Sequence, residues 1–237
     1  MPQKSSATLT KYWEDFLHLV YPEQCLVCET ELTTSEQHIC SLCDIQLTET
    51  SYHLFEEDSE FDKLFWGRIQ VASTFALYYF QKKSVIQSLL FQLKYKHAAS
   101  IGTVFGKRIG KRVSESEKYK GIEVLMPVPL HPMKEFQRGY NQSLALAIGI
   151  AETTNLPIDK EAFKRNSNNK SQTRKGRFQR WDNVDSIFTV TDSILQYNHI
   201  AIVDDVITTG STVEALVHSI RAKKPDIQIS VLTLAIT

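Results

Sequence analysis

Ile200-Ala201-Ile202-Val203-Asp204-Asp205-Val206-Ile207-Thr208-Thr209-Gly210-Ser211-Thr212 carries the pattern of a buried strand that turns directly into a helix. Residues 199–203 form a short apolar run of the kind a buried strand uses. Two adjacent carboxylates close it, and small or hydroxyl residues carry the chain into a helix over 212–223. The alternation continues outward. A final strand fits 227–236, and residues 71–79 and 123–128 read as strands upstream, the second closed by prolines. Helices fit 83–95, 101–113 and 142–153, the first with Val85, Ile86, Leu89, Leu90 and Leu93 on one face. Strands alternating with helices of about a dozen residues predict an α/β domain, a parallel or mixed sheet with helices on both faces.

The 237 residues leave room for one moderate domain and a small appendage. A formal net charge of zero, with 23% charged residues, argues against bulk electrostatic attraction to nucleic acid while leaving a local basic stretch free to act. No apolar run approaches the roughly 18 residues that span a bilayer, and the N-terminus lacks the apolar core of a secretory signal. A cytoplasmic chain without a membrane span is expected. Residues 9–21 place Tyr12, Trp13, Phe16, Leu17, Val20 and Tyr21 at helical spacing, and Pro22 ends the pattern. Glu14 and Asp15 on the polar face favour a packing helix over a membrane-surface one. Residues 49–60, acidic and without periodicity, read as a connector. The expected organisation is an N-terminal helix over 1–22, a cysteine module over 23–55 and the main domain over 65–237.

The chemistry concentrates where the Ile200–Thr212 stretch turns. Carboxylates at the end of a buried strand cost several kcal/mol each if unpaired, so Asp204 and Asp205 call for compensation by hydroxyls or a bound metal. Thr208, Thr209, Gly210, Ser211 and Thr212 offer successive backbone N–H groups and side-chain hydroxyls at the mouth of a helix, which suits a phosphate monoester. Open α/β sheets place ligands at this end of a central strand. An ordinary strand–turn–helix with an N-cap threonine explains one hydroxyl, but not two acids and a five-residue polar turn together.

All four cysteines fall within 19 residues: Cys25-Leu-Val-Cys28, eleven residues, then Cys40-Ser-Leu-Cys43. Each Cys-x-x-Cys pair supplies two sulfurs from one tight knuckle, and two knuckles close a tetrahedron around a structural zinc ion. Four protein ligands leave no open position for catalysis, so a small zinc-ribbon-like module with a scaffolding or partner-binding role is expected. A redox dithiol is the main alternative, and disulfides would call for a signal peptide. Neither His38 nor His53 is needed as a ligand.

The run Val203 to Thr212 resembles the signature of type I phosphoribosyltransferases, which bind 5-phosphoribosyl 1-diphosphate. By that resemblance Asp204 and Asp205 hold the ribose hydroxyls and Thr208 to Thr212 hold the 5′-phosphate. A second stretch, Met126-Pro-Val-Pro-Leu-His131-Pro-Met-Lys134-Glu-Phe-Gln-Arg138-Gly-Tyr-Asn141-Gln, narrows the likeness to the ComF competence-protein family. The four-cysteine module fits that family too, as do Gln172, Arg180, Asn183 and Phe188.

The resemblance implies a type I phosphoribosyltransferase-like parallel sheet flanked by helices, a sugar phosphate as ligand, Mg²⁺ beside the zinc, and a context of DNA uptake. Lys134 and Arg138 are placed to neutralise a diphosphate, against the plainer reading of solvated charge, and Arg180 belongs with them. His131, between prolines, reads as a turn residue rather than a general base. The basic stretch 160–180 resembles the hood that closes over the diphosphate in transferases. It also suits single-stranded DNA, with Phe178 and Trp181 as stacking surfaces, or a solvated loop. The two functions implied are phosphoribosyl transfer to a nitrogen nucleophile and a non-enzymatic role in DNA uptake with protein partners.

Overall fold

The two most apolar runs of the sequence lie side by side in the middle of a sheet. The computed structural model describes residues 22–95, 99–166 and 187–237. Strands β1 (Ser73–Tyr79), β2 (Val124–Pro127), β5 (His199–Ile207) and β6 (Gln228–Ile236) pair in parallel, in the order β1-β6-β5-β2. Every residue of β6 after Gln228 is buried, and so is every residue of β5 up to Val203. Since successive side chains point to opposite faces, both faces of the central pair are covered, as an all-parallel sheet requires. Strands β3 (Phe163–Arg165) and β4 (Phe188–Val190) form a separate antiparallel pair.

Helices α3 (Val85–Tyr95), α4 (Ala99–Ser114), α6 (Gln142–Thr154) and α7 (Ser211–Lys223) supply the covering layers. Helices α4 and α6 approach closely because both present small residues. A Cβ added at Gly106 would lie 2.2 Å from the Leu146 carbonyl oxygen, and one at Gly149 would lie 2.1 Å from that of Thr103. This contact fixes the position of α6, and with it the side chains at the α6 N-terminus that face the carboxylates of β5.

The structure differs from the sequence reading in three places. Strand β5 does not stop at Val203; pairing with β6 continues through Asp204↔Thr233 to Ile207↔Ile236, because the neighbouring strand is equally long. A short helix, α5 (Pro132–Arg138), follows the prolines after β2. The connector over 49–60 is packed. Thr50 N–H donates to the Leu77 carbonyl at 3.1 Å and Tyr79 N–H to the Thr48 carbonyl at 3.0 Å, so this segment covers the edge of β1. Its own Tyr52 and His53 are buried. The other edge is covered as well, with Leu125 N–H donating to the Pro157 carbonyl at 2.9 Å.

The cysteine module joins the same core, through buried Leu32, Ile39 and Leu47. It holds a four-residue helix, α1 (Ser41–Asp44), and a second short helix, α2 (Glu60–Lys63), follows the packed segment. Asp44 pairs with Arg108 of α4, and Glu49 with Arg112 at 3.0 Å. The helix read over 9–21 lies outside the described residues. Among the described residues, no helix is long and apolar enough to cross a membrane.

Candidate functional site

Asp204 and Asp205 sit at the carboxyl end of β5, partly buried. Adjacent residues of a strand face opposite ways, so the two carboxylates meet different neighbours. Asp204 Oδ1 accepts from Ser143 Oγ of α6 at 3.1 Å and from the Asp205 backbone N–H at 2.9 Å. Asp205 Oδ1 accepts from the Val206 N–H at 2.7 Å, and its Oδ2 lies 3.1 Å from the Lys94 ammonium near the end of α3. Burial, and then the neighbouring Asp205 charge, push the Asp204 carboxyl up to about 7 against the pull of these donors. Among the described residues, the two carboxylates thus share one close ammonium. That surplus of negative charge suits a divalent cation or a pair of hydroxyls.

The turn beyond β5 is held from outside. Arg68 donates to the Thr209 carbonyl at 2.7 Å and pairs with Glu214 in the first turn of α7. Gly210 caps α7 with φ +73°, and a Cβ there would meet the buried Phe65 ring at 2.6 Å, so conformation and space both demand glycine. The N-cap therefore contributes no side-chain hydrogen bond. The closest hydroxyl is Thr209 Oγ1, at 3.5 Å from the Ser211 N–H. An N-cap threonine, as in an ordinary strand–turn–helix, is absent, and Thr209, one residue earlier, makes only a long bond to the foremost of the α7 N–H groups. Thr208, Thr209 and Ser211 are exposed around them.

The loop after β2 emerges beside this turn, since Val128 N–H donates to the Val203 carbonyl at 2.9 Å. His131 Nδ1 accepts from the Met133 N–H at 3.2 Å and caps α5, the turn role its prolines implied. Arg138, at the end of α5, donates to Gln142 Oε1 at 2.7 Å and lies over the Tyr95 ring. Lys134 is exposed on the same helix. Asn141 caps α6 with its side-chain oxygen and donates to the Val128 carbonyl at 3.0 Å, tying the α5–α6 corner to the end of β2.

In the module, Cys25, Cys28, Cys40 and Cys43 converge, their sulfurs within 4.8 Å of one another, with Cys28 exposed and the others buried. The Cys28 and Cys40 sulfurs stand 3.6 Å apart. A tetrahedron with metal–sulfur bonds of about 2.3 Å has edges of about 3.8 Å, so the set fits a metal ion such as zinc. Glu36 braces the space between the knuckles. Its carboxylate accepts from the Ser41 hydroxyl and N–H, both at 2.6 Å, and from the Thr33 N–H at 2.9 Å. These bonds, the Ser41 hydroxyl first, hold its carboxyl down to about 2.

No family model matches the chain. Its curated relatives are distant but nearly as long as it is. Competence protein F of Haemophilus influenzae is 23% identical over 209 residues, covering 81% of this chain and 88% of that protein. DNA utilization protein YhgH of Escherichia coli K12 is 25% identical, covering 82% and 89%. Competence protein ComFC of Bacillus subtilis is 26% identical over 226 residues, covering 92% and 87%. The chain is thus similar, over most of its length, to proteins of the ComF family.

Within this fold, the residues singled out in the sequence divide by location. Asp204 and Asp205 share one strand end with the turn Thr208–Thr212, and Arg138 stands at the neighbouring corner. Arg180, like the rest of the basic residues 167–186, lies outside the described residues. Sequence reasoning missed Lys94, Ser143 and Arg68. Lys94 belongs to a helix read only for its apolar face, Ser143 follows the quoted motif by one residue, and Arg68 precedes the first strand. None carries a local signal of its role.

Proposed function

We propose that this ComF-like chain binds 5-phosphoribosyl 1-diphosphate in the cytoplasm, at the carboxyl end of β5. The observation that carries the reading is the pairing of two carboxylates, which among the described residues share the Lys94 ammonium, with a turn whose N-cap is a glycine and supplies no side-chain cap. Asp204 and Asp205 hold the ribose hydroxyls, and Thr208, Thr209, Gly210, Ser211 and Thr212 hold the 5′-phosphate. Lys134, Arg138 and Arg180 meet the diphosphate. Mg²⁺ bound with the diphosphate supplies charge neutralisation for the leaving group. Zinc held by Cys25, Cys28, Cys40 and Cys43 is structural, ordering a segment with little core of its own.

Such a site supports transfer of the phosphoribosyl group to a nitrogen nucleophile. The nitrogen lone pair forms the new C1–N bond, the C1–O electrons leave with diphosphate, and the acceptor proton passes to solvent. Positive charge growing on the ribose ring is met by the two carboxylates. Calorimetric titration with the sugar diphosphate and Mg²⁺ tests the reading. Wild type binds, and Asp204→Asn/Asp205→Asn weakens binding by about a hundredfold or more, since charged hydrogen bonds contribute roughly 1.5–3 kcal/mol each. No binding by the wild type overturns it.

A second reading is favoured by the names of the relatives, which refer to competence and DNA utilization. Here the chain acts without turnover in DNA uptake, binding single-stranded DNA through the basic stretch 160–180 and docking on protein partners through the zinc module. A salt-sensitive affinity for single strands, lost when Arg174, Lys175 and Arg177 are neutralised, supports this reading. Unchanged binding removes the DNA part of it.

A further inference from the structure

Helix α3 buries one face, with Val85, Ile86, Leu89, Leu90 and Leu93, yet carries two large aromatic side chains on the other. Phe91 and Tyr95 are 55% and 59% exposed, too open for core residues. They are spaced one turn apart, with ring centroids 4.9 Å apart and planes tilted by 42°. The Arg138 guanidinium extends the row, 5.8 Å from the centre of the Tyr95 ring.

This row is tied to the sugar site at several points. Lys94, the residue before Tyr95, reaches Asp205 at 3.1 Å. Arg138 is anchored by Gln142 at 2.7 Å. The Tyr140 hydroxyl donates to the Leu93 carbonyl, so the α5–α6 corner and the end of α3 form one wall. Exposed aromatic faces beside a cation attract flat, polarisable rings.

We infer that Phe91 and Tyr95 form a stacking shelf for one planar heteroaromatic nitrogen base, next to the ribose-binding carboxylates. The inference rests on the proposed function and names the acceptor class it leaves open. Two rings and one guanidinium match a single base. A strand of DNA needs a longer series of platforms, with cations tracking its backbone.

The test uses the full-length, metal-loaded protein and free 2-aminopurine, whose fluorescence is quenched on stacking, with Mg²⁺ and ribose 5-phosphate present. Wild type and Tyr95→Phe quench the base. Phe91→Ala and Tyr95→Ala weaken its binding by roughly tenfold to a hundredfold, the range for removing one stacking partner. Calorimetric affinity for ribose 5-phosphate stays the same in all four proteins. Equal base affinity in the alanine variants, or no quenching by wild type, overturns the shelf. So does quenching confined to a 2-aminopurine-containing single strand, which would assign the surface to DNA. Quenching that survives without any sugar-phosphate binding sinks the proposed function and leaves the shelf standing.

Discussion

Strand β5 has an ionisable side chain at each end, and the two ends are built on opposite plans. At the amino end, His199 is buried; its Nε2 is 2.8 Å from Ser230 Oγ, which lies 2.7 Å from Ser73 Oγ. This chain of hydrogen bonds crosses three strands. Burial lowers the His199 pKa against the opposing pull of Glu123 and the Gly121 backbone, so the ring stays neutral. At the carboxyl end, Asp204 and Asp205 share one close ammonium among the described residues, and Asp204 is pushed up to about 7. The lesson is about satisfaction. Polar groups that complete their bonds internally stabilise the fold, whereas groups left with surplus charge are the candidates for holding a ligand.

The largest effect that would sharpen this contrast comes from removing charge at the carboxyl end. A carboxyl raised from 3.8 to about 7 destabilises the native state once it ionises, by at most about 4 kcal/mol at roughly 1.4 kcal/mol per unit. That penalty is absent below about pH 4 and complete above about pH 7. Asp204→Asn should therefore raise the denaturant midpoint at pH 8 and change it little at pH 4. A lower midpoint at pH 8 would break the comparison, by showing that Asp204 serves the fold.

The amino end should respond in the other direction. His199→Ala removes a satisfied hydrogen bond and leaves a gap, at a cost of about 2 kcal/mol at pH 8. Because the folded pKa of His199 is lowered, the unfolded chain takes up its proton first. Wild-type stability from this group is present above about pH 6.5 and is lost as the pH falls below it. Thermal melts between pH 7.5 and 5.5 should show a shallower decline in His199→Ala than in wild type. An unchanged slope would mean that the acid sensitivity arises elsewhere.

The smallest effect belongs to Ser143. Its hydroxyl donates to Asp204 and favours the charged form, so Ser143→Ala should raise the Asp204 pKa further. Affinity for the sugar diphosphate with Mg²⁺, read by calorimetry, should fall only a few-fold at pH 7, with the loss narrowing toward pH 9 as Asp204 ionises fully. A loss as large as that of the double carboxylate variant would place Ser143 itself on the ligand.

The two candidate sites were legible to different degrees. The cysteine cluster could be read almost whole, because each knuckle is a four-residue local structure and eleven residues suffice to fold one back on the other. The apolar run, the two acids and the turn were legible for the same reason. The extent of β5 was not, because pairing with β6 carries the strand past its apolar residues. Nor did residues 49–60 announce themselves as an edge cover; Thr50 has no period to reveal it, only the exposed carbonyls of β1.

Local sequence is enough to set the alternation that makes an α/β sheet, the four sulfurs, and the Asp204–Thr212 turn with its glycine. Each rests on neighbours a few residues apart, where periodicity and backbone geometry act directly. The balance of charge at the candidate site, in contrast, is set by long-range packing. Lys94, Ser143 and Arg68 lie far from Asp204–Thr212 in the chain, on segments whose own patterns concern packing. They become partners of the carboxylates and the turn only when glycine-lined helices close together and the sheet fixes where its strands end.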